Sequence, residues 1–219
     1  MTRVIAFFLC LLPLRALSCD LALVLAVDVS GSVDSREYRV QMDGLAEALR
    51  DPLVSEALVR SQARLALLQW TGGGRQRVTE DWTAMVDFEA VDRFASVMAE
   101  EKRVWRNFST AVGEALEESM AMLATQTDCA RHVIDLSGDG RNNEGIEPAA
   151  LRGQLRARNI TVNALAIEAS VPELTAWFFE NVLTGPGAFV ETAPTYADYP
   201  DAIRRKLLRE ITRQTASLD

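Results

Sequence analysis

Apolar residues in this chain gather into short runs at 21–27, 63–70, 132–136, 160–167 and 187–191, and each run is the length of a strand buried on both faces. A shorter strand is expected near Arg77–Trp82. Between these runs, apolar positions recur at helical spacing around 35–50, 87–100, 111–124, 147–158, 172–182 and 196–215. Alternation of the two patterns predicts an α/β fold, a three-layer, doubly wound and mostly parallel sheet with helices on both faces. The last helix is expected to be amphipathic. It sets Ile203, Leu207, Leu208 and Ile211 on one side and Arg204, Arg205, Lys206 and Arg209 largely on the other.

Residues 1–18 follow a different logic. Arg3 precedes the apolar stretch Val4–Leu12, and Ala16-Leu17-Ser18 supplies small residues for a cleavage site, so this segment reads as a secretory signal peptide. Arg15 departs from that pattern and bears on where the cut falls. No other span approaches the ~20 apolar residues that cross a bilayer. The expected product is a single domain, residues 19–219, in the periplasm or secreted. Cys19 would then lead the mature chain, but Ala16-Leu17-Ser18 lacks the branched apolar residue that lipid attachment places three positions earlier.

Removing residues 1–18 takes the formal charge from -8 to -10 and leaves Cys19 and Cys129. The acidic balance argues against nucleic acid and anionic membrane surfaces as partners, because both require a cationic face. An even pair of cysteines in an exported chain favours a disulfide. Cys19 lies nine residues before Asp28 and Cys129 ten before Asp139. If their two strands are parallel neighbours, the cysteines meet at one end of the sheet and the acids at the other; otherwise they are two unrelated thiols.

The chemistry-bearing residues sit at the ends of these runs. Asp28-Val29-Ser30-Gly31-Ser32 follows the first strand, Ser109-Thr110 stands at the head of a predicted helix, and Asp139 lies between Gly138 and Gly140 after the strand at 132–136. Carboxylates and hydroxyls on tight loops are hard oxygen donors suited to a hard cation. The competing explanation is local: Ser and Asp cap helices, with Ser32 or Asp34 serving the helix that follows, and glycines around Asp139 suit a turn. His132 starts its strand, some 20 Å from Asp139 at ~3.3 Å per residue, too far to act there. Gly72-Gly73-Gly74 lacks the Gly-Lys-Ser/Thr of a phosphate loop.

Taken in order, Asp28-x-Ser30-x-Ser32, Thr110-x-Val112-Gly113-x-Ala115-Leu116 and Asp139-Gly140 resemble the metal-ion-dependent adhesion site of von Willebrand factor type A (VWA) domains. The wording LAVDVSGSVD, VIDLSGDG and GPGAFV resembles most closely a secreted bacterial branch of that superfamily, domain of unknown function 1194. The resemblance covers the chain after residue 19 and implies a Rossmann-like, VWA-like fold with the first and fourth strands adjacent. It also implies that Asp28, Ser30, Ser32, Thr110 and Asp139 hold Mg²⁺, or Mn²⁺ or Ca²⁺, directly or through water. A protein partner would complete the shell with an acidic side chain. One departure is Gly138, where the commoner wording has threonine before the acid. Asn142 and Asn143 follow on the same rim as candidates for orienting waters or touching the partner.

The resulting expectation is an exported, divalent-metal-dependent, adhesion-type binding module and not an enzyme. The alternatives are a metal-dependent hydrolase with Asp28 as nucleophile or an ion activating water, and a structural domain that its metal only stabilises. Against the hydrolase stand the lack of a histidine at the rim, the lack of a G-x-S-x-G elbow, and Ser30 in place of a second phosphatase acid.

Overall fold

The computed structural model describes residues 19–212; the signal-peptide reading and the end of the last predicted helix, residues 213–215, lie outside them. Six strands form one sheet in the order β3-β2-β1-β4-β5-β6. These are β1 (Leu21–Asp28), β2 (Arg64–Trp70), β3 (Gln76–Ala84), β4 (Arg131–Gly138), β5 (Ile160–Ile167) and β6 (Val190–Ala193). All pairings are parallel except β2 with β3. The predicted α/β architecture is therefore the observed one.

Side-chain alternation along β1 assigns the two faces. Leu21, Leu23, Leu25 and Val27 pack with α1 (Ser35–Arg50), α2 (Pro52–Arg60), α3 (Phe88–Glu100) and α7 (Tyr199–Thr212). Ala22, Val24 and Ala26 face α4 (Val112–Leu123), α5 (Pro148–Ala157) and α6 (Leu174–Asn181). Every residue of β1 is buried, which is why no polar position interrupts its sequence until Asp28.

Three elements differ from the sequence reading. Helix α2 was not anticipated, although its signals are present: Pro52 opens the helix and Asp51 accepts from the amides of Leu53 and Val54. Strand β3 is longer than expected, runs antiparallel at the sheet edge and is only half buried, with register shifts against β2. The last strand starts at Val190, not 187, because Gly185 and Gly187 take positive φ and turn the chain first.

Lys206 corrects the expected polar side of α7. Its side chain is fully buried, with Nζ 2.6 Å from Asp135 Oδ1 and 2.6 Å from Glu210 Oε1. Two carboxylates against one ammonium leave an excess negative charge, so burial, followed by the charge of Asp135, pushes the Glu210 carboxyl up to about 8. Asp135 Oδ2 and Glu210 Oε2 otherwise lack partners. A proton on Glu210 makes the triad neutral overall.

The cysteines meet as the adjacent-strand condition requires. Cys19 and Cys129 are joined by a disulfide, and the amide of Ala130 donates to the Cys19 carbonyl at 2.9 Å. Leu21 lies opposite Arg131, so the disulfide and the β1–β4 ladder share one offset of 110 residues. That register carries Asp28 and Asp139 to the other end of the same strand pair.

Candidate metal centre

Strand order reverses between β1 and β4, with β2 on one side and β5 on the other, so their carboxyl ends open a crevice. Asp28 ends β1, fully buried. Its Oδ1 accepts from the Ser30 amide at 2.7 Å, which folds the loop back over the strand end. Ser32 donates to Asp139 Oδ1 at 2.6 Å. Ser30 Oγ lies 3.1 Å from Ser32 Oγ, and because the Ser32 proton goes to Asp139, Ser30 is the donor of that pair. The helix that follows is capped by Asp34 in a reciprocal box with Glu37. Neither serine is needed as a cap.

Thr110 reaches the rim by a different route. Its amide donates to Asn143 Oδ1 at 2.9 Å, and its carbonyl accepts from the Asn143 amide at 2.9 Å. Asn142 Oδ1 accepts from the amide of Val112 at 2.8 Å. The first residue of α4 is thus satisfied by a side chain from the 139–147 loop, while the α4 N-cap residue, Ala111, contributes no side-chain bond. The oxygens of Asn142 and Asn143 therefore hold the Thr110 segment in place. Gly113 allows this approach, because a Cβ there would collide with the Ile146 carbonyl.

Gly138 explains its own departure from the family wording. A Cβ at this position would lie 3.1 Å from Asp28 Oδ2, a tight contact, and 3.5 Å from the Trp70 ring, so a side chain here would press on the buried Asp28 carboxylate. Asp139 is oriented instead by Ser32 and by the Tyr196 hydroxyl, which donates to Oδ2 at 2.9 Å. Tyr196 lies in the 3-10 turn Tyr196–Asp198 that leads into α7. No local signal in the sequence marks it, because its partner is 57 residues away.

The electrostatics of the pair are unfavourable without a cation. Burial, followed by the charge of Asp139, pushes the Asp28 carboxyl from its ordinary 3.8 up to about 7. Asp28 Oδ2 has no hydrogen-bond partner of good geometry; the Ser30 hydroxyl and Asp139 amide are near enough to moderate its charge without satisfying it. Among the described residues, no three His, Cys, Asp or Glu side chains cluster as metal ligands. The candidate donors, two carboxylates and three hydroxyls, are all hard oxygens, a chemistry that would suit a small hard cation and not a soft one. His132 stands at the far end of β4, with Nε2 2.8 Å from the Gln126 carbonyl.

This sheet order, and the gathering of Asp28, Ser30, Ser32, Thr110 and Asp139 at its switch point, define a VWA-like fold. The chain belongs to the family described as protein of unknown function DUF1194, whose model matches residues 18–215. No curated protein matches it by sequence. Among solved structures it is similar to mussel byssus proximal thread matrix protein 1 with a zinc-occupied MIDAS motif, at TM-score 0.66 and 13% identity. That likeness covers 89% of this chain and 46% of the byssus protein, so the chain spans about half of that relative. A von Willebrand factor type A protein from Catenulispora acidiphila matches at TM-score 0.59 and 18% identity, covering 87% of this chain and 42% of its own. Manganese-loaded TRAP protein of Plasmodium vivax matches at 0.58 and 17%, covering 88% and 73%. Among the described residues, no helix is long and apolar enough to cross a membrane.

Proposed function

We propose that this chain is an exported binding module that holds a divalent cation, Mg²⁺ or a similar hard ion, between Asp28, Ser30, Ser32, Thr110 and Asp139. The ion would then receive a carboxylate from a protein partner. The observation that carries this reading is Asp28 Oδ2, a fully buried carboxylate oxygen without a good partner, facing a second buried acid. An uncompensated pair of this kind costs several kcal/mol in a closed site, and a cation at the same place reverses the sign of that interaction. When bound, the ion supplies a Lewis-acidic position that an incoming carboxylate can occupy. The protein's own part is to hold the donors: Ser32 and Tyr196 fix Asp139, the Ser30 amide fixes Asp28, and Asn143 fixes Thr110.

Export is supported by the disulfide, which oxidising compartments favour, together with the signal-like residues 1–18. Likeness of fold to the byssus matrix protein with its zinc-occupied MIDAS motif, and to the pilus adhesin SpaC from Lactobacillus rhamnosus GG, supports an adhesive role by analogy.

The test is thermal unfolding in chelator and then with Mg²⁺, Mn²⁺ or Ca²⁺, beside Asp28→Ala and Asp139→Ala. Binding to the folded state adds ~2.7 kcal/mol at one hundred times the dissociation constant. A rise in the wild type that is absent from both variants supports the site. No rise with any ion overturns it.

A further inference from the structure

Beside the candidate ion site, on its β2–β3 side, an otherwise acidic chain gathers cations. Arg75 comes from the turn between β2 and β3, Arg77 from the start of β3, and Lys102, Arg103 and Arg106 from the segment between α3 and α4. None of the five forms an ion pair among the described residues. The Nε of Arg103 is buried without a partner. Like charges held together at a binding rim favour an anion between them.

The α3–α4 segment is tied to the candidate ion site by hydrogen bonds. Arg103 Nη2 donates to the carbonyls of Val29 and Ser30 at 3.0 and 2.8 Å. Gly31 donates its amide to the Phe108 carbonyl at 2.7 Å. The buried Gln69 amide fastens the same segment, donating to the Lys102 carbonyl at 2.9 Å and accepting from Val104 at 3.0 Å. Two aromatic rings complete the surface: Arg75 lies 3.9 Å over the exposed Phe108 ring, and Arg77 5.4 Å from the Trp105 centroid. A guanidinium stacked on a ring can still offer edge N–H groups to a carboxylate, although Arg75 gives one of its own to the Gly73 carbonyl at 3.1 Å.

We propose that this arc binds a second carboxylate of the same protein segment that offers its first to the ion, so the partner is an acidic, multi-carboxylate peptide stretch crossing toward the β3 edge. The inference rests on the ion-dependent reading above and adds direction and charge to it. A uniformly charged polyanion fits less well. Glu80 on β3, Glu101 after α3 and Glu144, which accepts from the Gly73 amide, stand beside these cations, and the whole chain carries a formal charge of -8. A peptide can space its acids to avoid them.

The experiment is fluorescence anisotropy with labelled Gly-Asp-Gly-Asp-Gly and Gly-Asp-Gly-Gly-Gly peptides, with Mg²⁺ and with chelator. Wild type is compared with Asp28→Ala and with the double variant Arg77→Ala/Arg106→Ala, whose positions are exposed. The two-acid peptide should bind roughly three- to tenfold tighter than the one-acid peptide in Mg²⁺. The double variant should lose that advantage while keeping its Mg²⁺-dependent melting shift, and more salt should shrink it. Equal binding of the two peptides, or an advantage that survives the double variant, overturns the arc alone. Discrimination that persists in chelator and in Asp28→Ala overturns the ion reading and with it the shared mode. Tighter binding of polygalacturonate than of either peptide replaces the peptide with a polysaccharide.

Discussion

Tyr196 donates its hydroxyl to Asp139 Oδ2 at 2.9 Å, joining the acid at the end of β4 to the turn that begins the last helix. The bond is buried, and it occupies the carboxylate oxygen that Ser32 leaves free. The position of α7 and the orientation of a candidate ion ligand are therefore one structural unit.

Tyr196→Phe removes the donor and leaves Asp139 Oδ2 unsatisfied in a buried site. The expected cost is about 1–3 kcal/mol in chelator, read from urea denaturation. Added Mg²⁺ should recover part of it. A loss below about 0.3 kcal/mol would show that Asp139 is oriented by Ser32 alone.

Asp28→Asn tests the repulsion at the site. In the folded chain, the acid binds its proton up to about 7, against 3.8 ordinarily, so the native state holds more protons than the unfolded one across that window. Stability of the chelated protein should then fall as pH rises from about 4 to 7, with a ceiling near ~4 kcal/mol at about 1.36 kcal/mol per pH unit. Asn keeps an acceptor for the Ser30 amide without the charge. Its melting temperature at pH 7.5 in chelator should exceed that of wild type, while its response to Mg²⁺ disappears.

The buried triad predicts a second pH effect, away from the rim. Glu210 is raised from 4.5 to about 8, so its contribution is also lost as pH climbs through that range. Glu210→Gln retains a donor toward Asp135 and an acceptor for Lys206. It should flatten the part of the fall in stability that this acid contributes between about pH 4.5 and 8. Lys206→Met strands two acids and should cost about 3–5 kcal/mol at neutral pH. Guanidinium unfolding across pH measures both.

Reduction, or Cys19→Ser with Cys129→Ser, should lower stability by about 4–5 kcal/mol, the chain-entropy value for a loop of ~100 residues. Calorimetry with and without reductant gives the number. The ion response should survive at saturating Mg²⁺, because the donors sit at the opposite end of the strands.

How much of this was legible depended on whether a residue's role is local. The strands of the central sheet read directly because burial on both faces leaves an unbroken apolar run, as in Leu21–Val27. Asp28, Ser30, Ser32, Thr110 and Asp139 stand where strands and loops end, and the topology brings those ends together. Lys206 misled because helical spacing assigns a charged side chain to solvent. Its burial is made tolerable by Glu210 one turn on and by Asp135, 71 positions earlier in the sequence, which helical spacing does not reveal. Tyr196 was hidden for the same reason: its partner lies on another element. Helix α2 was different, since Asp51-Pro52 announces it and the short run after α1 obscured it.

The covalent link at Cys19–Cys129 has a mechanical consequence. A pull applied at Cys19 meets β1 and β4 together, because the sulfurs couple the two strands where the force enters. A partner held at the far rim would load Asp28 on one strand and Asp139 on the other. Tension would then divide between two parallel cables in the middle of the sheet. Neither strand could be drawn out without shearing its whole ladder at once.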